Sequence, residues 1–387
     1  MTSQAALYVA SADDVHGARL RVAGRPVAFR TLVAAVRAGV ERVGVPSVLR
    51  SPDFEAALAT SPKARAALVW LDDPDALPAE PTLLLPAAAL VPAGALARLL
   101  NAAPGAVLAE SLAADAPVIG ADVDLLEQVR GPLRSGAPLG DALSHILKER
   151  DLESVTTGES WYVRVSGPRT AAEAERRLYG DLGSPIDTRL DVELHRRLSR
   201  PVSRTAVSLG ISPNWITIAS GVVGLAAAAV FALGTPAALV VGLLVYVVAV
   251  VLDHADGEVA RLTLTESAFG EWLDAVVDTI VHTTLALALG FAARHLSGGG
   301  LPAGVVAAFG ILVGGFIGKI WPPAPSTATR NLLDRLTSRD GFYAMLTLFV
   351  LLGVFRRTLL PSLMLIVAAG THLYWLSRTL VLIARRT

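Results

Sequence analysis

Six apolar segments follow residue 213, and they restrict the possible folds of this chain more than any other feature. Over the whole sequence 53% of residues are hydrophobic and 18% are charged, which excludes an intrinsically disordered chain. In a bilayer, each spanning segment must satisfy its backbone internally as an α-helix. We therefore predict an integral membrane domain of six transmembrane helices over residues 209–387, the fifth being short. The spans are expected at 214–233, 236–260, 267–292, 302–320, 341–355 and 359–383.

Residues 1–185 have a different pattern, in which short apolar runs alternate with breaks that contain Pro, Gly and Asp. This alternation of strand and helix patterns predicts a soluble α/β domain. The N-terminus lacks a basic segment followed by a long apolar core, so no secretory signal is predicted. Buried strands are expected at 43–46, 67–71 and 82–85, and helices at 31–38, 95–102 and 170–178.

Residues 186–208 connect the two regions. Leu190, Leu194, Leu198 and Val202 recur at every fourth position, with Arg residues between them. The pattern predicts a juxtamembrane amphipathic helix that lies on the membrane surface. The alternative is a connecting helix packed against the soluble domain.

The positions of Arg and Lys indicate an orientation in the membrane. If there are six spans, the larger group of these basic residues falls on one side of the membrane. This predicts that both termini, the soluble domain and the acidic site described below are on the cytoplasmic side. A net charge of zero argues against a nucleic-acid partner, and the absence of Cys excludes thiolate metal sites and thiol catalysis. The larger group is Arg189, Arg196, Arg197, Arg200, Arg204, Lys319, Arg330, Arg335, Arg339, Arg385 and Arg386, against Arg294, Arg356 and Arg357.

Carboxylates are scarce after Pro213, yet seven of the nine lie within residues 253–278. Asp253 and Asp256 are three residues apart and Asp274 and Asp278 are four apart, so each pair shares a helix face. Two antiparallel helices would bring the four side chains to one point, where cations must offset their repulsion. Oxygen ligands favour Mg²⁺, Mn²⁺ or Ca²⁺, and two such ions suit displacement at phosphorus.

The full run contains Asp253, Asp256, Gly257, Ala260, Arg261, Gly270, Asp274 and Asp278. It resembles the signature D-x-x-D-G-x-x-A-R-x8-G-x-x-x-D-x-x-x-D of the CDP-alcohol phosphotransferase (CDP-alcohol phosphatidyltransferase) family at all eight fixed positions. The six-span layout, the juxtamembrane helix and residues 212–217 are also similar to that family, over roughly 187–387. Its members transfer a substituted phosphate group from a CDP-linked donor to an alcohol acceptor and release CMP.

The resemblance implies a role for each matched position. The four aspartates would hold two Mg²⁺ or Mn²⁺ ions, Ca²⁺ occupying the site without supporting catalysis, and Asp278 would also be the general base. A homodimer surrounded by membrane lipids is implied as well. The CDP-binding residues would be Asn214, Thr217, Asp253, Asp256, Gly257, Ala260, Arg261 and Gly270, with Arg261 on the diphosphate.

Other interpretations of the same carboxylates stay open. They could form the site of a membrane cation-binding or transport protein, or of an Asp-rich prenyl-diphosphate transferase. Glu258, Glu266 and Glu271 fall outside the signature and are expected to be solvated loop residues, and His254 is expected to face away from the site. Candidates for acceptor recognition are Lys319, Arg330, Arg339 and Arg378, with Arg335 and His372 as further candidates. The alternative is that these basic residues anchor the spans by the positive-inside pattern.

The N-terminal region, from Ala23 onwards, weakly resembles sugar-nucleotide-type nucleotidyltransferases. The fusion is similar to the bifunctional inositol-phosphate cytidylyltransferase and di-inositol-phosphate-phosphate synthase arrangement, which slightly favours a polar inositol-type substrate. However, residues 11–20 contain one Gly and no Lys where a phosphate loop is expected, and the segments 86–90 and 161–166 contain no carboxylate. We therefore expect an inactive nucleotidyltransferase-like domain, the alternative being an unrelated α/β domain.

Overall fold

The structure is a computed structural model that describes residues 4–72, 77–102, 105–149, 153–158, 160–182, 196–320 and 339–384. The chain divides into two compact units. The first comprises Met1–Leu182 with Leu262–Thr265, and the second comprises Gly183–Arg261 with Glu266–Thr387.

The first unit is built around a seven-stranded sheet in the order β10-β8-β9-β6-β1-β4-β5. The central strand β1 pairs in parallel with β4 and β6, whereas β9 runs antiparallel to β6 and β8. The strands are β1 (Gln4–Tyr8), β2 (Arg21–Val22), β3 (Arg25–Pro26), β4 (Arg42–Val45), β5 (Leu68–Trp70), β6 (Thr82–Pro86), β7 (Ala89–Leu90), β8 (Val107–Leu108), β9 (Ile119–Ala121), β10 (Ser154–Val155) and β11 (Val163–Arg164).

Helices alternate with these strands, which confirms the predicted α/β domain. Ser51 and Ser61 each accept a hydrogen bond from a backbone N–H of the helix that follows, and a Pro at the first helical position helps to start it. The helices are α1 (Asp14–Arg19), α2 (Val27–Arg37), α3 (Pro52–Ala59), α4 (Pro62–Ala67), α5 (Ala93–Leu100), α6 (Ala109–Leu112), α7 (Val123–Ser135), α8 (Gly140–Lys148) and α9 (Pro168–Gly180), with a 3₁₀ turn at Ser47–Leu49.

All six expected elements are present within a few residues of the predicted positions, and the strands are buried as expected with one exception. The exception is the strand expected at 67–71, because β5 lies at the edge of the sheet and is only half-buried. An edge strand has a neighbour on one side only, so part of its surface stays exposed.

The second unit is helical. Its helices are α10 (Arg196–Leu209), α11 (Pro213–Ala232), α12 (Pro236–Thr263), α13 (Ala268–Ser297), α14 (Leu301–Ile320), α15 (Arg339–Phe355) and α16 (Leu360–Ala384), with a 3₁₀ turn at Arg357–Leu359. Four helical segments in the described residues are long and apolar enough to cross a membrane: Pro213–Ala232, Pro236–Thr263, Ala268–Ser297 and Arg357–Leu376. The apolar stretches Leu301–Ile317 and Gly341–Phe355 are shorter, so a count of six spans stays a prediction.

Small residues bring the helices of this unit close together. A Cβ atom added to Gly221 or Gly224 of α11 would lie 2.7 Å from a methyl carbon of Val277 or Val281 in α13. A Cβ on Gly304 of α14 would lie 2.6 Å from the Cα of Gly290. Close approach through Gly is typical of helices that pack in a membrane.

The juxtamembrane helix is described from Arg196 onwards, and Leu190 and Leu194 of the predicted apolar stripe lie outside the described residues. Its buried face is largely polar: Arg196, Ser199 and Ser203 are each less than 5% exposed, whereas Leu198 is 44% exposed. The helix therefore packs within its own unit through a polar stripe, which the apolar spacing did not indicate.

Candidate metal centre

The carboxylates predicted to bind metal lie on α12 and α13. These two helices are consecutive, and Ser267 begins the second by accepting a hydrogen bond from the backbone N–H of Gly270 at 3.0 Å. Ser is a favoured residue at this position because its oxygen satisfies a free N–H of the first turn. The first turns of α13 are therefore fixed just before Asp274.

Asp253, Asp256 and Asp274 form one acidic cluster. One carboxylate oxygen from each lies within 4.8 Å of those of the other two. Asp256 is buried and the other two are half-buried. Such a group of like charges, partly removed from water, is stabilised by a cation between them. The donors are all hard oxygen atoms, so the residues present fit Mg²⁺ or Mn²⁺.

Asp278, the fourth predicted ligand, lies one turn further along α13 and is not within the group of three. It lines a cavity of about 40 Å³ together with Asp253, which is enough space for a few water molecules. The structure thus brings three of the predicted metal ligands to one point and places the predicted base beside them.

The start of α11 contacts this cluster. The Thr217 hydroxyl donates to Asp256 Oδ2 at 2.5 Å, and Thr217 is only 3% exposed. Asn214 lies next to Gly270, where an added Cβ would be 3.4 Å from Asn214 Oδ1. The two residues assigned to the nucleotide are therefore grouped with parts of the motif on α12 and α13.

Gly257, the motif glycine of α12, leaves space for the guanidinium of Arg261. A Cβ on Gly257 would lie 3.2 Å from Nη1 of Arg261, one turn later on the same helix. A side chain at position 257 would therefore crowd the guanidinium. Ala260 is half-buried beside them, so its methyl group leaves space on this face.

Sequence reasoning missed an aromatic and imidazole group around the cavity. His282 Nδ1 lies 2.7 Å from the backbone oxygen of Asp278, and its Nε2 lies 3.2 Å from the Tyr246 hydroxyl. Phe342 and Tyr343 of α15 also line the cavity. A His four residues after Asp278 was a usable signal, since it shares that helix face, but nothing local to residues 342–343 indicated this contact.

The expectation that Glu258 is a solvated loop residue was wrong. It lies inside α12, is 1% exposed, and accepts hydrogen bonds from Ser199 and Ser203. The donors that bury Glu258 come from α10, far from it in the sequence, so the residues around Glu258 did not indicate its burial. Glu266 and Glu271 are exposed. His254 is buried, with Nδ1 2.9 Å from the Val250 oxygen.

Of the acceptor candidates, the structure describes the side chain of His372. Arg330 and Arg335 lie outside the described residues, and so do the side chains of Lys319, Arg339 and Arg378, although their backbone is helical. His372 is described: Nε2 lies 3.0 Å from the Val306 oxygen, and Nδ1 accepts from the Trp375 indole at 3.2 Å.

In the first unit, the carboxyl end of β1 holds an internal ion pair. Asp14 is fully buried, and its Oδ1 lies 2.8 Å from Arg164 Nη2. The Ala10 N–H donates to Oδ2 at 3.2 Å, and Ser11 also contacts the pair. Strand order reverses at β1, and in open α/β sheets ligands usually bind at such a position.

Burial raises the pKa of the nearby Tyr162 hydroxyl. The hydroxyl stays neutral and donates a hydrogen bond to the Ala116 oxygen.

Four apolar helices and an acidic centre suited to a hard divalent cation define an integral membrane protein with a candidate metal site. Residues 210–317 match the family model described as CDP-alcohol phosphatidyltransferase. The chain therefore carries a CDP-alcohol phosphatidyltransferase domain over those residues, and this domain includes the whole acidic cluster. A search of curated proteins gives no significant match.

Proposed function

We propose that this protein transfers a substituted phosphate group from a CDP-linked donor to an alcohol and releases CMP. The acceptor oxygen forms a bond to the phosphorus distal to cytidine, the bond from that phosphorus to the CMP oxygen breaks, and the acceptor proton passes to the protein. The observation that carries the proposal is the convergence of Asp253, Asp256 and Asp274 inside the matched domain.

The four aspartates would hold two Mg²⁺ or Mn²⁺ ions, which would supply charge neutralisation at the phosphate oxygens. The Asp278 carboxylate would take the hydroxyl proton of the alcohol, because Asp278 lines the same cavity as Asp253. The Thr217 hydroxyl would orient the Asp256 carboxylate by donating a hydrogen bond to it.

The donor nucleotide would bind near the N-termini of α11 and α13. Arg261 would contact the diphosphate as a fixed cation. Gly257 and Ala260 leave the space that its guanidinium needs. Asn214 and Gly270 would contact the nucleotide from their shared position.

The broader setting follows from the same proposal. Six spans would place the α/β domain and the active site on the cytoplasmic side, in a homodimer embedded in membrane lipids. The product would be a phospholipid or an inositol phosphodiester, and Lys319, Arg330, Arg339 and Arg378 would bind a charged acceptor. The α/β domain would be an inactive nucleotidyltransferase-like domain, which is supported by the Asp14–Arg164 pair at the end of β1.

The test uses the purified full-length protein in detergent or lipid nanodiscs with Mg²⁺ or Mn²⁺. CDP-diacylglycerol and CDP-inositol are each supplied with inositol, inositol phosphate, glycerol phosphate or no alcohol. CMP is quantified and the products are identified by mass spectrometry. We expect CMP release that depends on one donor and one class of alcohol. Metal binding without CMP affinity would instead indicate a cation carrier, and transfer from a prenyl diphosphate would indicate a prenyltransferase.

A further inference from the structure

Glu258 makes a buried polar contact in the helical unit, outside the acidic cluster. Its carboxylate accepts from the Ser199 hydroxyl at 2.8 Å and from the Ser203 hydroxyl at 2.6 Å, one on each oxygen. Arg196 Nη1 lies 3.7 Å from the first of these oxygens. All four residues are less than 5% exposed, so the interaction is shielded from water and salt.

The geometry of α12 separates Glu258 from the metal ligands. Successive residues of an α-helix are rotated by about 100°, so residue 258 leaves the helix on nearly the opposite side from 253 and 256. Ala255 and Val259 project between the directions of Glu258 and Asp256, and they form one buried cluster with Ala206 of α10 and Ile216 of α11. Helix α10 therefore contacts the turn that carries Asp256, through both Glu258 and the Ala206 cluster.

We infer that Glu258 is a positioning residue for the metal centre, and that α10 acts on the centre through it. The clamp consists of Glu258 with Arg196, Ser199 and Ser203, and it fixes the rotation of α12 about its axis. That rotation sets the direction in which Asp253 and Asp256 project toward Asp274. The inference rests on the proposed function, and it assigns a role to a residue outside the matched signature.

A buried carboxylate becomes strongly unfavourable when its hydrogen-bond donors are removed. The turn would rotate to bring Glu258 toward water, and the two aspartates on the other side would move with it. Loss of a residue that orients metal ligands costs about 10- to 100-fold in metal affinity or activity.

The test compares Glu258→Gln, Glu258→Ala and Ser199→Ala/Ser203→Ala in the full-length protein with the wild type. Glu271→Ala is the matched control, because Glu271 is an exposed carboxylate outside the signature on the neighbouring helix. Mn²⁺ binding is measured by electron paramagnetic resonance on monodisperse protein, and CMP release is measured as a function of Mn²⁺ concentration.

We expect the Mn²⁺ dissociation constant and the Mn²⁺ concentration for half-maximal activity to rise about 10- to 100-fold in the clamp variants. Activity at saturating Mn²⁺ should recover most of the wild-type value, and Glu271→Ala should behave as wild type. Combining Glu258→Ala with the serine double variant should add little, since the groups act as one unit.

Two results would overturn the inference. One is an unchanged Mn²⁺ constant, and the other is an activity lowered equally at every Mn²⁺ concentration, which indicates a structural role alone. If Glu258→Ala does not fold, the serine variants decide by the same criteria. A wild-type protein that binds Mn²⁺ but releases no CMP contradicts the proposed function instead, and the Mn²⁺ constants still test the clamp.

Discussion

Both units of the protein bury aspartates, but they compensate them in different ways. Asp14 of the α/β unit is enclosed by the domain's own groups, with Arg164 at 2.8 Å and the Ala10 N–H at 3.2 Å. In the helical unit, Asp253, Asp256 and Asp274 converge on one another instead. Asp14 therefore has an arginine at ion-pair distance, whereas three carboxylates that converge are stabilised by a cation between them. The difference supports the proposal that the helical unit carries the chemistry.

Removal of divalent metal should give the largest effect. We expect chelation with EDTA to abolish CMP release and Mg²⁺ or Mn²⁺ to restore it, because the clustered carboxylates repel one another without a cation. Hydrogen exchange should become faster in peptides from α12 and α13 and stay unchanged in peptides from residues 4–72. CMP release at the full rate in EDTA would contradict the proposal that the acidic cluster works with a bound metal ion.

Asp278→Asn should give the next largest loss. The amide cannot accept the acceptor proton, and general bases typically contribute about 100- to 10,000-fold. The measurement is the initial rate of CMP release at saturating Mn²⁺, with Glu271→Gln as a control for an exposed acid on the same helix. A rate within a few fold of wild type would contradict the role assigned to Asp278.

Thr217→Val should have an intermediate effect. It keeps the shape of the side chain and removes the hydroxyl that donates to Asp256 at 2.5 Å. We expect Mn²⁺ affinity to fall about 10- to 100-fold. Thr284→Val is the control, since its hydroxyl bonds the Ile280 oxygen of its own helix at 2.7 Å. Equal Mn²⁺ affinities for the two variants would show that Thr217 does not orient the cluster.

The same comparison shows what the sequence can reveal. Periodicity located the helices and the central strands. The spacing of the four aspartates in the motif predicted that all four converge, because residues three or four apart share a helix face; the structure groups Asp253, Asp256 and Asp274, and Asp278 lies one turn further along α13. The role of Arg164 could not be read in this way, since it lies 150 residues from Asp14. Glu258 was misplaced for a related reason: its donors lie on α10, 55 and 59 residues earlier.

Arg164→Met should affect stability without affecting catalysis. It leaves the Asp14 carboxylate buried without its ion-pair partner, which costs about 3 kcal/mol in comparable cases. Hydrogen exchange in peptides that contain β1 and β11 should accelerate accordingly, while CMP release stays at the wild-type rate. Arg169→Met is the control, because Arg169 is exposed. Unchanged protection in Arg164→Met would mean that the pair does not close the end of β1.

The smallest expected effect is on CTP. If the Asp14–Arg164 pair occupies the ligand position at the end of β1, the described residues at that position leave no carboxylate for metal-assisted nucleotidyl transfer. Full-length Asp278→Asn, given CTP, Mg²⁺ and inositol phosphate, should release no pyrophosphate above a protein-free blank. A reciprocal variant, Arg164→Ala, opens the position but supplies no phosphate-binding loop, so it too should be inactive. Turnover of CTP by either protein would show that the enclosed aspartate is not a sign of an inactive domain, and the contrast between the two units would then no longer locate the chemistry.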